Sequence, residues 1–441
     1  MKPTALTIDF LISQFQSLGW KAEPMKLAMQ LAREHPEAIA DLAIKVIDHL
    51  PQGGTFLDAA LSFLPDEHWP RVISHAIQRL ENDQPTGKLS PAAESVISYA
   101  SLQCVADLHP YLSRLFALDG LFSSYYGTYP WRDSGESHFE TLREAFEHEA
   151  SPTHKKGRPL VSRKELRAWR AMLETRHLPT VAWAVQHADR LSFSPQTVQN
   201  YLSQIEFEMR DGALTPLRSE KTWHLTFEKD YIPPRPKHLG ASPTWDLRGQ
   251  GEPQRFGGEH AEASCHVCGR SLHHLLTLSP VPEGLGVSVL SILTLATCLS
   301  CLGWEESPLC YRHDSNGLPS AITPPSEIRE PQFPSSPLQR TSIRLIETPP
   351  RWQRQDWSLS NGRENLHRLG GIPSWVQDAE YPICPCCQKT MPFLLQLDSG
   401  LPVGEKTTGA EALTLEWGSG GLLYGFWCDG CRASAFLWQC T

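Results

Sequence analysis

The chain has 441 residues, 40% of them hydrophobic and 20% charged, and a formal net charge of −9. This is the balance of a soluble globular protein of two to four domains, and no apolar run reaches the ~18–20 residues of a membrane span. Residues 1–150 hold 11 basic and 20 acidic side chains, which accounts for the whole of the −9. Neither half therefore offers the positive surface that nucleic acid requires, and that class of partner is disfavoured.

The opening stretch MKPTALTIDFLISQF carries an early aspartate and no small-residue cleavage site, so it reads as a helix and not as a signal peptide. Ile39, Ala43 and Ile47 recur at helical spacing, with Leu42, Val46 and Leu50 one stripe over. Pro51 to Gly54 ends that helix and Thr55 opens the next, which carries Leu57, Leu61 and Leu64. Val72, Ile73, Ala76, Ile77 and Leu80 line a third, and Ser90-Pro91 starts another. Short helices joined by Pro/Gly breaks predict a helical-repeat-like domain over 1–125, its acidic excess forming a solvated face.

Residues 126–215 read as a helical extension, with breaks at Pro179 and Pro195. Its start carries an aromatic loop within FSSYYGTYPWRD, residues 122–133. Its aromatic rings suit burial against the helices; as a recognition loop it would offer Tyr125, Tyr129 and Trp131 as anchors.

The period changes near Leu217. Trp223, Leu225 and Phe227 alternate with Thr222, His224 and Thr226, which predicts a half-buried strand. Phe393, Leu395 and Leu397 alternate likewise, as do Leu422, Tyr424 and Phe426. Between the two regions, Gly317–Pro350 holds eight prolines in 34 residues and reads as a linker or surface strap with room for one strand at 342–346.

The strongest signal is in the cysteines. Cys265-x2-Cys268 and Cys298-x2-Cys301 form one set, and Cys384-x2-Cys387 and Cys428-x2-Cys431 a second. Each pair sets two thiolates on one side of a turn, and two pairs complete a tetrahedral, closed zinc site. The surroundings repeat: Leu275, Leu276 and Leu278 match Leu394, Leu395 and Leu397, and LGASPTW (239–245) matches LGGIPSW (369–375). The fold class expected is α+β, an all-α N-terminal domain followed by two duplicated zinc-stapled β units at 216–310 and 351–441, with a Pro/Ser-rich linker at 311–350. Two structural Zn2+ ions are implied.

The register leaves Cys386 outside the ligand set and reads Cys104 as a core residue. Cys310 and Cys440 each stand nine residues after a last ligand, so they are expected at equivalent strand positions. His260, His266, His273 and His274 are expected beside the first site and not as ligands. With no export signal, paired cysteines favour metal in a reducing cytoplasm over disulfides. The sequence contains no Gly-x-Ser-x-Gly, no phosphate-binding loop and no His-Glu-x-x-His. His367 is read as a hydrogen-bonding residue near the zinc turn.

Asn365 to Gln396, NLHRLGGIPSWVQDAEYPICPCCQKTMPFLLQ, resembles the YwqG-like family of bacterial proteins through Leu369, Gly370, Gly371, Pro373, Trp375, Gln377, Phe393, Leu394 and Gln396. It is more distantly similar to the zinc unit of the programmed cell death protein 2 family. The resemblance covers about 80 residues, and the helical half lies outside it. It implies an intracellular, β-rich protein of duplicated units that works by binding other proteins, as an adaptor, a chaperone-like factor or a toxin-neutralising immunity protein. A non-catalytic protein with an unknown protein partner is the expectation, with Trp375, Gln377 and Gln396 on the partner surface. The alternative is an enzyme with its site between the two β units near those residues.

Overall fold

The structure, a computed structural model, describes the chain except for residues 1–6, 20–21, 51, 53–54, 119–126, 148–161, 233–241, 250, 324–326 and 406–412. It divides into two compact units. The helical unit is Met1–Ile205 with Met209–Leu214 and Pro236–Pro243; the β unit is Glu206–Glu208, Thr215–Arg235 and Thr244–Thr441. The expected boundaries at 310 and 350 do not divide the β unit.

The helical unit begins with α1 (Ile8–Leu18), α2 (Ala22–Glu34), α3 (Ile39–His49), α4 (Thr55–Leu61), α5 (Trp69–Asp83), α6 (Pro91–Gln103) and α7 (Leu112–Ala117). It continues with α8 (Phe139–Glu147), α9 (Arg163–Glu174), α10 (Leu178–Gln186) and α11 (Pro195–Gln204). The starts are capped by side chains: Thr7, Ser90 and Ser194 each accept from a backbone amide three residues on, and Ser162 with Glu165 forms a capping box. α1, α3 and α5 pack side by side in one layer, and α2, α4 and α6 in another. Helix α6 is buried nearly all round because Ala92, Ala93, Val96, Ile97, Tyr99 and Ala100 leave no polar stripe. The odd-numbered layer is stitched on its exposed side by ion pairs joining Asp9 to Lys45, Asp41 to Arg71 and Glu81 to Arg114, and by a hydrogen bond between Asp48 and His75.

Tyr125 lies outside the described residues. Tyr129 and Trp131 are buried in the helical unit, against α6 and α9. The Trp131 ring meets Phe116 edge-on at 5.9 Å, and the Arg132 guanidinium sits 3.1 Å over the Tyr129 ring. These two rings are spent on packing and offer no anchor to a partner.

Two short strands, β1 (Phe207–Arg210) and β2 (Ala213–Pro216), follow the helices. The β unit then holds β3 (Thr222–Phe227), β4 (Gln254–Phe256), β5 (Glu259–Ser264), β6 (Ser271–Leu278), β7 (Leu293–Thr297), β8 (Leu309–His313), β9 (Pro319–Ala321) and β10 (Thr341–Glu347). After the short helix α12 (Trp357–Ser360) come β11 (Arg368–Gly370), β12 (Phe393–Asp398), β13 (Leu401–Pro402), β14 (Thr414–Leu415), β15 (Leu422–Cys428) and β16 (Ala433–Gln439). All but β1, β2, β13 and β14 join one antiparallel sheet in the order β5-β6-β4-β10-β3-β11-β12-β15-β16-β8-β9, with β7 also on β6. Its ends approach each other: β9 packs on β5 and β7, and the Thr294 amide donates to the Gly317 carbonyl at 2.9 Å.

The registers repeat with a two-fold pattern. β6 pairs with β4 and β7, and β12 pairs with β11 and β15. Leu276 stands opposite Phe256 and Leu295, just as Leu395 stands opposite Leu369 and Gly425. Each central strand has an irregularity at the same place, around Leu275 and around Leu394. β3 and β10 lie at the middle of the pattern, where Thr226 faces Arg344. They are exchanged: β10, late in the chain, pairs with β4, and β3, early in the chain, pairs with β11. β8 likewise pairs with β16.

Three expectations change here. In the segment 311–350 the one strand with room at 342–346 is β10, and it takes a central place in the sheet instead of lying on a surface strap. The register equates Gln254-Arg255-Phe256-Gly257-Gly258 with His367-Arg368-Leu369-Gly370-Gly371, not LGASPTW with LGGIPSW. All four of those glycines have φ between 69° and 103°, a shared backbone demand that matching letters at 239–245 did not reveal. Finally, Cys310 lies within β8 while Cys440 falls just past β16, so their positions are not equivalent.

Candidate metal centres

Each cysteine pair sits on a tight turn. The Cys265 amide donates to the Arg270 carbonyl and the Gly269 amide to the Cys265 carbonyl, both at 2.8 Å. At the second centre the Cys384 amide donates to Lys389 at 2.8 Å and the Gln388 amide to Cys384 at 2.9 Å. Gly269 and Gln388, at the same step of the turn, both have left-handed φ, 71° and 60°. The other two pairs close β7 and β15, so each antiparallel pair of strands carries one turn to the other.

The turns bring the sulfurs together. In each set of four, all Sγ atoms lie within 4.8 Å of one another, and no histidine or carboxylate joins either set among the described residues. Cys268 and Cys298 sulfurs are 3.7 Å apart, and Cys387 and Cys428 sulfurs 3.6 Å. A tetrahedral ion with metal–sulfur bonds of ~2.3 Å places its ligands about 3.8 Å apart. The donor sets therefore fit such an ion, and every sulfur is too far from the next for a disulfide.

The thiols alone make a poor interior. Hydrogen bonds from Cys298 and Cys301 hold the Cys265 thiol far below its ordinary value. The same contact with Cys265 drives the Cys298 and Cys301 thiols well above theirs. Without a cation, Cys265 is thus the thiolate that the Cys298 and Cys301 thiols hydrogen-bond, and a bound cation would take the place of those protons.

The two centres differ in exposure. All four cysteines of the first are buried, whereas Cys387 and Cys431 of the second are half-buried. Cys386 is exposed. Burial, then the nearby Cys384 sulfur, pushes its thiol up. Cys310 packs against the second centre from β8, and burial pushes its thiol up to about 11.

Among the described residues no histidine joins the sulfur set; His260 is buried in β5, and the other three are committed elsewhere. His266 pairs with Glu306 at 2.8 Å; His273 accepts from the Leu299 amide; His274 contacts the Gly257 carbonyl and Thr277 hydroxyl. His367 is fully buried and accepts from the Asp398 amide at 3.1 Å. Gln254, its counterpart in the other half of the sheet, accepts from the Ser279 amide at 2.7 Å, so the two residues do one job.

Sequence periodicity missed a buried polar network. β3 was expected to expose Thr222, His224 and Thr226, but Thr222 and His224 are buried. His224 contacts the Thr348 hydroxyl at 2.9 Å and the Gln355 side-chain oxygen at 3.2 Å. The Gln355 amide donates to Glu364 at 2.7 Å. Arg368, wholly buried, donates to the Gln353 carbonyl at 3.1 Å, to the Ser374 hydroxyl at 2.8 Å and to the Ile372 carbonyl. The signal available was the charge in HRLGG, an arginine inside an otherwise apolar strand.

The remaining expected surface residues divide. Gln396 is fully buried, accepting from the Ser374 amide and donating to the Leu366 carbonyl, and thus props the Pro373–Trp375 loop. Trp375 is half-buried among Tyr424, Tyr381 and Phe426, with ring centroids at 4.6, 5.2 and 6.2 Å. Gln377 is exposed and donates to the Cys440 carbonyl at 2.6 Å. The amides of both glutamines are thus used on backbone partners.

No helix among the described residues is long and apolar enough to cross a membrane. No family model matches the chain, and no solved structure matches it. Among curated proteins, it is 42% identical over 196 residues to the uncharacterized protein YpfL of Salmonella typhimurium, a stretch covering 40% of this chain. The same stretch spans 39% of YpfL, so the chain covers about two fifths of that relative.

Proposed function

We propose that both centres hold zinc as closed structural ions, and that the protein works without catalysis by binding another protein in a reducing, cytoplasmic compartment. The observation that carries this reading is the doubled set of four sulfurs at tetrahedral spacing, which leaves no ligand position for a reacting water. Twelve cysteines without a disulfide suit that compartment. The two-fold register supports one duplicated unit, and the two helix layers support a helical repeat. The YwqG-like resemblance points the same way, toward an adaptor, chaperone-like or toxin-neutralising role.

An exposed aromatic cluster supports the interaction reading. Trp304, three residues past the ligand Cys301, is 46% exposed, and Phe333 is 47% exposed. Their rings lie 4.6 Å apart, and Trp304 reaches Trp438 at 5.2 Å. Trp is among the residues that dominate binding hot spots, and Phe is enriched at interfaces. Elemental analysis of the purified protein is expected to give two zinc ions per chain. Affinity capture is expected to retain one stoichiometric protein, which a Trp304→Ala/Phe333→Ala variant with unchanged zinc content loses. Zinc near zero, or turnover of a metabolite by the pure protein, overturns the proposal.

A further inference from the structure

The two metal centres meet through the strands that leave them. β8 follows the ligand Cys301, β16 follows the ligand Cys431, and the two strands pair, with Ala433 opposite Arg312 and Ser434 opposite Tyr311. β8 touches both centres. Its Tyr311 hydroxyl accepts from the amide of the ligand Cys298 at 3.2 Å. Its His313 amide donates to the carbonyl of Arg432, the residue after Cys431, at 2.7 Å, and the His313 ring contacts the Ser434 hydroxyl at 2.9 Å. Two further contacts are reciprocal. The Trp438 indole nitrogen, on β16, donates to the carbonyl of Leu302, the residue after Cys301, at 2.7 Å. Gly303 admits that ring, since at its φ of 76° a Cβ would stand 2.2 Å from the indole nitrogen. Ser288, between β6 and β7, donates its amide to the carboxylate of Asp429, the residue after Cys428, at 2.9 Å, and its hydroxyl donates there as well. The closing turn of each centre is therefore held by residues of the other copy.

We propose that the two centres are coupled: filling one raises the affinity of the other, so the chain passes from two ions to none with little of the one-ion form between. Binding of an ion by four cysteines and ordering of the turns that carry them are a single event. An ion at the first centre fixes the turn from Cys298 to Leu302, and with it the amide that Tyr311 accepts from and the carbonyl that Trp438 donates to. β8 and β16 are then ordered against each other, and the Arg432 carbonyl that His313 holds sets Cys431 in place. The second ion therefore loses less free energy to ordering than it would alone. By linkage, an ion at the second centre helps the first by the same factor, and couplings of this kind run to ~5–150-fold in affinity.

The proposal rests on the reading that both centres bind zinc, and the test separates the two. Full-length protein holding two zinc ions is equilibrated against graded amounts of a zinc chelator, and native mass spectrometry counts the ions on each chain. When half of the zinc has been withdrawn, two equal and independent sites leave half of the chains with one ion, whereas a coupling of about 10-fold leaves about a quarter. The wild-type protein is expected to fall below half. Trp438→Phe keeps a ring and loses the N–H donor; Ser288→Ala loses the hydroxyl donor. Each is expected to hold two ions at saturation and to show a larger one-ion share than the wild type. A wild-type share of half or more, or the same share in the wild type and both variants, overturns the coupling. Protein that takes up no zinc at all overturns the metal reading and the coupling with it.

Discussion

Gly371 shows how narrowly single residues are constrained. Its φ is 73°, and a Cβ built on it would stand 1.9 Å from the Thr222 hydroxyl oxygen. Its counterpart Gly258, at φ 103°, would meet the Arg340 side chain, whose flexible stem can move aside. Gly371→Ala should therefore cost more than ~3 kcal/mol, and Gly258→Ala less, as urea melts of the two variants would show. These glycines were legible as a motif in one half of the sheet only. In the other they stand behind Gln254-Arg255-Phe256, and nothing in the letters signals that two sequences so unlike make the same bend. Arg368 was misleading in the opposite sense, since its charge suggests solvent while three backbone and hydroxyl acceptors hold it inside.

At the scale of elements, cysteine spacing and helical stripes were readable because each depends on near neighbours in sequence. A Cys-x2-Cys turn needs only its own backbone bonds, and an apolar stripe needs only the helix that carries it. Strand exchange depends on partners more than a hundred residues away, so β10 looked like part of a proline-rich strap although it lies between β3 and β4. The core follows the exchange: Trp223, Phe256, Leu276, Leu295, Leu395 and Phe436 share one apolar cluster with the first set of cysteines. A fragment of residues 216–310 lacks β10 beside β4 and β16 beside β8. It is expected to stay unfolded with zinc present, whereas 216–441 folds with two zinc ions. Amide exchange on the two fragments decides this, and a protected 216–310 would show that the copies are independent after all.

At the scale of the whole molecule, the β unit should be the acid-sensitive part. Burial holds His224 down to about 3, and His274 and His313 down to about 4. In the unfolded chain each would titrate near 6.5, so below that pH the unfolded state takes up protons that the folded state refuses. The stability linked to these histidines is complete above pH 6.5 and is lost as the pH falls toward 4. At pH 5 the loss is roughly 2 kcal/mol for each histidine. Thermal melts of a 216–441 fragment at pH 7 and pH 5 measure it, and His313→Gln is expected to flatten the slope. A helical fragment ending at 205 is expected to change less, its exposed ion pairs being worth at most about 1 kcal/mol each. The exchanged strands also set an order of events while the chain is being made. β3 leaves the ribosome ~140 residues ahead of its partner β11, an interval of roughly 7–30 s at 5–20 residues per second. Throughout that time the edge that β11 covers stays unpaired, and until β10 emerges the other edge does too, open to the same strand of a neighbouring nascent chain. A cell making this protein from crowded polysomes is expected to accumulate intertwined dimers, and slower initiation to reduce them.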